Sequence, residues 1–467
     1  MDLKEGTERR FFGYVEELAQ VLGHADRANP FRDYCVGLIL PSERKSVEPI
    51  AALTAPDRVA AQHQSLLHFV GQSAWSDEEV LAKVRELVLP AIERHGPIEA
   101  WIIDDTSFPK HGHHSVGVAR QYSGVLGKTD NCQVTVTLSV ANHAASLPVA
   151  HRLYLPREWT SDAARRRKAG VPKTIKFASK TEIALAQIEA ARAAGIPPGV
   201  LLTDSAYGGS LDFRTGVSAV GLSYVAGIDP QTSVWAGGAQ PLPPKPWSGR
   251  GGTPSKRLRR DNQHRPCSVK TLAPGLPAEA WRTIRWREGT ADWLSSRFAR
   301  VRVRPARGDH RLAERRDEEC LLIEWPPEES GPTKYWLSNL AADIPFERLV
   351  DLAKLRWRIE RDYQELKQEL GLGHYEGRGW RGFHHHATLC IAAYAFLITE
   401  RARVPPSAAG DDADKFAAPE IPQNYTPRGA ARASRTTCRK FDRDDAPTSD
   451  RRPRQHPDAM SMLQRTA

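Results

Sequence analysis

Two short apolar runs that end in acids constrain this chain most. IEAWIIDDTS places Asp104 and Asp105 at the end of one run, and GVLLTDSAYGG places Asp204 at the end of another. A buried strand delivers side chains in this way to its C-terminal end. Between them, CQVTVTLSVAN alternates at Val134, Val136, Leu138 and Val140, and LPVAHRLYLP returns after a turn at Asn142 to Ser146. Residues 180–194 carry helical periodicity closed by Gly195, and LSYVAGI follows a further helical stretch. The order is strand, strand, strand, helix, strand, helix, strand. It predicts an α/β fold with a ribonuclease-H-like core, whose first and fourth strands lie side by side and bring Asp105 and Asp204 to one sheet edge.

A third acid comes from DIPFERLVDLAKLRWRIERDYQELKQELG. Its apolar stripe (Leu349, Leu352, Leu355, Ile359, Tyr363, Leu366, Leu370) predicts one helix, with Asp343 as N-cap, Pro345 in the first turn and Gly371 as the stop. Arg356, Glu360, Gln364 and Lys367 share its other face, as a solvated surface row also would. Glu360 is the candidate third carboxylate. Three such acids at one sheet edge suit a two-metal phosphoryl-transfer site, with ions roughly 3.5–4 Å apart. Magnesium favours carboxylate oxygens and keeps several waters, so a sparse Asp-Asp-Glu set suffices.

Five segments follow from these patterns. Residues 1–95 read as helices, with Ser76 opening one of them, and fit either a small bundle or a DNA-end-binding domain. Residues 96–229 form the first part of the core. Residues 230–335 read as a β-rich insertion subdomain entered through a loop rich in Gly, Pro and basic residues. Residues 336–404 complete the core with the Glu360 helix, and residues 405–467 lack periodicity and are expected to be disordered. In the insertion, Arg300, Arg302 and Arg304 share one strand face; with Lys256, Arg257, Arg259 and Arg260 they are candidates to grip phosphates, the alternative being a solvated sheet face.

Lys plus Arg number 66 against 56 Asp plus Glu, a net charge of +10, which suits a polyanionic partner. An RNA-binding or ribosome-associated protein would share that balance. The scattered cysteines have no CxxC pair and read as reduced thiols. The charged N-terminus lacks a signal peptide's apolar region, and the longest apolar run is about half a membrane span. A soluble cytoplasmic protein is expected, nucleoid-associated when bound to DNA.

These residues together resemble a DDE transposase of bacterial insertion sequences, in the cut-and-paste group with a β-rich insertion and a Tyr-Arg-Glu-Lys signature. LRWRIERDYQELK supplies Arg356, Glu360 and Lys367 at the signature's spacings, and Asp105-Thr106 and Asp204-Ser205 match its two aspartate motifs. DDTSFPKHGHHSVGVARQYSGVLGKTDNCQ also looks like one subgroup of the family. The signature tyrosine falls at Ala353, with Tyr363 as a possible substitute.

The resemblance implies that Asp105, Asp204 and Glu360 hold two magnesium ions, with manganese as the substitute. Asp104 is the alternative first ligand, on the opposite strand face. Arg356 and Lys367 would contact phosphates near the scissile bond. The reaction would be cleavage at the element's ends, then attack of the 3′-hydroxyl on target DNA by a homodimer holding double-stranded DNA. Trp281, Trp286 and Trp293 would either stack on a flipped base or pack in the core. His384, His385 and His386, with Arg378 and Arg381, are expected near DNA; a zinc site involving them or His111, His113 and His114 lacks cysteine partners. Two other readings keep the fold: a DNA-binding protein without catalysis, and a structure-selective nuclease.

Overall fold

The structure is a computed structural model and describes residues 3–247, 255–288 and 293–403. The tail expected to be disordered, 405–467, lies outside the described residues.

Helices α1 (Leu3–Ala19), α2 (Ala28–Ile39), α3 (Val47–Thr54), α4 (Val59–Gly71) and α5 (Asp77–Glu93) come first. As expected, Ser76 caps α5, accepting from the Glu79 N–H at 3.2 Å. Strands β1 (Ala100–Pro109), β2 (Ala119–Ser123), β3 (Lys128–Ala141) and β4 (Ser146–Leu153) follow. After two short helices, α6 (Arg157–Thr160) and α7 (Ala163–Lys168), a capping box between Ser179 and Glu182 starts α8 (Lys180–Ala193). Next come β5 (Val200–Thr203), α9 (Ser205–Gly208), α10 (Leu211–Ala219) and β6 (Tyr224–Gly227).

The remaining strands are β7 (Ser233–Ala236), β8 (Cys267–Ser268), β9 (Trp281–Glu288), β10 (Trp293–Pro305), β11 (Glu319–Trp325) and β12 (Lys334–Ser338), with α11 (Val269–Leu272) after β8. Helices α12 (Phe346–Leu355), α13 (Trp357–Gln368) and α14 (Trp380–Arg401) close the described chain. The twelve strands of the described residues belong to one mixed sheet, ordered β2-β3-β1-β5-β6-β12-β11-β10-β7-β8, with β4 on β3 and β9 on β10. β1, β5 and β6 are parallel, whereas β3 is antiparallel to β1. Strands within the segment expected as a β-rich insertion subdomain continue the main sheet, since β10 pairs with β11, β11 with β12, and β12 with β6.

Alternation along β1 and β5 divides the core between two faces. Trp101, Ile103 and Leu201 pack with Ile183 and Ile188 of α8 and with the N-terminal helices. Ala100, Ile102 and Leu202 pack with Leu349 and Leu352 of α12 and with Ile359 and Tyr363 of α13. A smaller cluster around Val234, Val303 and Leu321 covers the sheet's far end.

Helix α14 joins the N-terminal helices to the rest. The Tyr14 hydroxyl donates to the Ala392 carbonyl at 2.9 Å, Phe11 meets Phe396 edge-on at 5.0 Å, and Arg10 pairs with Glu400. On its other side Tyr394 donates to Asp362 at 2.9 Å, and Arg401 pairs with Glu365 at 2.6 Å.

The predicted single helix over 343–371 is instead two, interrupted at Arg356. Asp343 does not cap it: Pro345 is the N-cap residue, without a side-chain hydrogen bond. Gly371 does mark the stop, at φ 66°.

Candidate functional site

The last paired rung between β1 and β5 joins Ile103 to Thr203, so Asp104 and Asp204 are the next residues on adjacent parallel strands. Period-two alternation gives Asp104 the same face as Ile102, toward α12 and α13, and turns Asp105 toward α8. Their partners differ accordingly. Asp104 Oδ2 accepts from Arg356 Nη1 at 2.9 Å, and Arg356 Nη2 reaches Glu360 Oε1 at 2.6 Å. Asp105 Oδ2 accepts from Lys180 Nζ at 2.9 Å and from the Tyr207 hydroxyl at 3.2 Å.

Asp204 caps the turn after β5, accepting from the N–H groups of Ala206 at 3.0 Å and Tyr207 at 3.3 Å. That turn lies hard against the sheet: a Cβ on Gly208 would stand 2.1 Å from the Gly227 carbonyl oxygen. Burial pushes the Asp104 carboxyl up to about 7, Asp204 pushes in the same direction, and Arg356 opposes both. Asp204 is raised too, again chiefly by burial. Glu360 is the open member, its side chain 63% exposed.

Lys367 stands on the same side, donating to the Ser107 carbonyl of β1 at 3.1 Å, with its ammonium 5.3 Å from the centre of the Phe108 ring. Burial lowers its ammonium to about 8. Tyr363, the considered substitute for the signature tyrosine, is buried with its hydroxyl on Thr137, and Ala353 is buried beside it. Glu365 turns away from this group, held between Arg361 at 2.9 Å and Arg401.

The other candidates lie elsewhere. Arg300 donates to the Ile344 carbonyl, Arg302 to Glu318 and Arg304 to Arg316, so each guanidinium is tied into the protein. Arg302 remains exposed, as do Lys256 and Arg257, whereas Arg260 pairs with buried Asp309. Trp281 meets Trp325 edge-on, and Trp286 packs over Lys354 at 4.6 Å. The Trp293 side chain lies outside the described residues.

The expectation that His384, His385 and His386 sit near DNA is corrected, because all three are buried in α14. Their nitrogens meet backbone and tyrosine partners. His384 reaches the Trp380 carbonyl at 2.9 Å, and His386 reaches the Tyr34 hydroxyl at 2.9 Å and the Gly371 carbonyl at 3.0 Å. His385 lies between the Val70 and Trp75 carbonyls and stacks on Trp75 at 3.6 Å. Arg378 and Arg381 are exposed, and Arg381 donates to the Gln72 carbonyl.

A different His-carboxylate group, Glu99, His143 and Asp351, has ligand atoms within 4.8 Å of one another. It precedes β1 at the end opposite Asp104, and the Arg348 guanidinium already contacts both of its carboxylates.

The family model of the DDE superfamily endonucleases matches residues 17–292. The chain belongs to that family. The probable transposase for insertion sequence element IS701 of Microchaete diplosiphon is 33% identical over 199 residues, 42% of this chain and 48% of that protein. The chain thus spans about half the length of this curated relative. The resemblance to DDE transposases of insertion sequences, first seen in the acid motifs, is borne out. Among the described residues, no helix is long and apolar enough to cross a membrane.

Sequence reasoning missed Lys180 and Tyr207 as partners of Asp105. Two signals marked them: Lys180 follows the capping Ser179, and Tyr207 lies three residues past Asp204, where a capped turn brings it back toward β1.

Proposed function

We propose that this chain is a transposase that cleaves DNA at the ends of an insertion sequence and transfers the 3′-hydroxyl strand into target DNA, using two magnesium ions or manganese in their place. The observation that carries this reading is that Asp104 and Asp204 each lie one residue past the last paired rung of adjacent strands, with Arg356 tying Glu360 of α13 to Asp104. The order β4-β3-β1-β5-β6, parallel only among the last three, supports a ribonuclease-H-like core. Residues between β6 and β12 then form the insertion.

The donor set fits hard divalent cations. Asp104, Asp204 and Glu360 offer only carboxylate oxygens, and burial, the chief cause of the raised Asp104 and Asp204 carboxyls, disfavours their charged forms in a way that a bound cation would offset. Bound divalent ions would activate the attacking water or 3′-hydroxyl and stabilise the leaving oxygen. Asp105, chosen from the sequence as first ligand, is engaged by Lys180 and Tyr207 on the other face, so the geometry favours Asp104 with Asp105 behind it. Lys367 would hold a strand phosphate beside β1, and exposed Lys256, Arg257 and Arg302 would meet more distant phosphates of a duplex. The working assembly would be a homodimer on DNA in the cytoplasm, at the nucleoid.

The test uses linear DNA carrying the element's ends, with magnesium or EDTA, and scores cleavage and joining. Wild type, Asp104→Asn, Asp105→Asn, Asp204→Asn and Glu360→Gln are compared. Metal-dependent cleavage and joining, lost in Asp104→Asn, Asp204→Asn and Glu360→Gln, is the expected result. Binding without cutting would leave a DNA-binding protein, and cutting without joining a nuclease. Activity surviving in Asp104→Asn but lost in Asp105→Asn would return the first ligand to Asp105.

A further inference from the structure

Arg356 occupies the interruption between α12 and α13, with its planar fork spanning two of the three acids. Nη1 is 2.9 Å from Asp104 Oδ2, and Nη2 is 2.6 Å from Glu360 Oε1. A guanidinium keeps its charge at any working pH, so Arg356 is a permanent cation at this place. The lone pairs it engages on Asp104 and Glu360 are ones that metal coordination would use. No other hydrogen bond holds Glu360 among the interactions of the described residues, and the second Asp104 oxygen accepts only from the Asp105 N–H at 2.7 Å. The Arg356 side chain is 25% exposed, which leaves it a route to solvent.

We propose that Arg356 is a displaceable counter-ion. It bridges Asp104 and Glu360 before metal loading, gives up both carboxylates when they take divalent ions, and then turns its free fork to a DNA phosphate. This rests on reading Asp104, Asp204 and Glu360 as the metal ligands. The exchange is favoured because a dication attracts the carboxylates more strongly than a monocation at similar range. A freed guanidinium is suited to bidentate phosphate recognition. The site would thereby couple metal loading to DNA grip: only the loaded protein has Arg356 available to the strand.

The test is manganese binding to the full chain without DNA, followed by the electron paramagnetic resonance signal of the free ion. Arg356→Gln removes the competing charge and should bind manganese on the order of tenfold tighter than wild type. Arg356→Lys keeps the charge but reaches one acid at a time, so its affinity should fall between the two. Asp204→Asn should bind more weakly than wild type. Circular dichroism shows whether each variant is folded, and Arg356→Lys carries the comparison should Arg356→Gln fail to fold. Manganese binding unchanged or weaker in the folded Arg356 variants overturns the proposal. Saturable binding that is absent throughout, or unaffected by Asp204→Asn, removes the ligand assignment and the proposal with it.

Discussion

Lys354 and Glu324 make a buried ion pair that ties α12 to β11, and thus the segment after β6 to the helices beside the acids. Their side chains are only 10% and 2% exposed, and the ammonium lies 4.6 Å from the Trp286 ring, 5.5 Å from Phe298 and 5.7 Å from Trp336. Burial lowers the Lys354 ammonium while Glu324 opposes that shift. Lys354→Met would leave the Glu324 carboxylate charged among aromatic rings with its counter-ion gone. Stranding one partner of a buried pair costs about 3–5 kcal/mol. Replacing both removes the stranded charge, so Lys354→Met/Glu324→Leu should recover all but about 1–2 kcal/mol. Urea unfolding followed by tryptophan fluorescence is the assay, since Trp286 and Trp336 flank the pair and report its loss directly. A Lys354→Met cost under about 1 kcal/mol, or a double variant no more stable than the single one, would refute the argument that an unpaired buried charge dominates here.

Other predictions concern the acid turn, the α14 histidines and α8. Gly208→Ala drives a Cβ into the Gly227 carbonyl, so it should displace Asp204 and abolish the DNA cleavage proposed above while leaving circular dichroism near that of wild type. Burial holds His385 and His386 down at about 4, below the ordinary 6.5. The unfolded chain therefore binds protons first, and stability falls as pH drops from about 6.5 toward 4, by about 1.4 kcal/mol per histidine at pH 5.5. Asp104, raised to about 7, acts in the opposite sense, so the comparison needed is wild type against His386→Gln at pH 5.5 and 7.5; an unchanged difference between the two pH values contradicts it. Ser179→Ala removes the capping box of α8 and should cost about 1 kcal/mol in urea unfolding, with Lys180 held less firmly on Asp105.

Local chemistry made much of this legible in advance. The β1, β3, β4 and β5 strands, the α8 helix closed at Gly195 and the Ser76 cap all followed from alternation, periodicity and capping residues. The interruption at Arg356 did not, because the apolar stripe from Leu349 to Leu370 runs through it unbroken and one changed backbone turn leaves the period intact. Alternation said that Asp104 and Asp105 face opposite ways, but the choice between them depends on where α8 and α13 pack, which is not local information. The α14 histidines looked like a surface feature by residue type. Their partners lie inside: the Val70 and Trp75 carbonyls flank His385, the Gly371 carbonyl meets His386, and His384 reaches the Trp380 carbonyl of its own helix. Of the strands after β6, β10, β11 and β12 were recognisable as strands and β7 and β8 were not, and the partner of β12 was hidden, since it meets β6 across roughly a hundred intervening residues.

That last pairing has a consequence for how the chain is made. Until β12 emerges from the ribosome, β6 is a bare edge, with the backbone groups of Val225 and Gly227 open to any passing strand. The acid-bearing strands β1 and β5 are then already complete, yet α12 and α13, which cover their face, come later still. A nascent or truncated chain ending between these points presents an adhesive sheet edge and an apolar face together. Solubility during synthesis thus depends on how soon the downstream half arrives, and slowing translation before Lys334 should raise aggregation more than slowing it after Gln368.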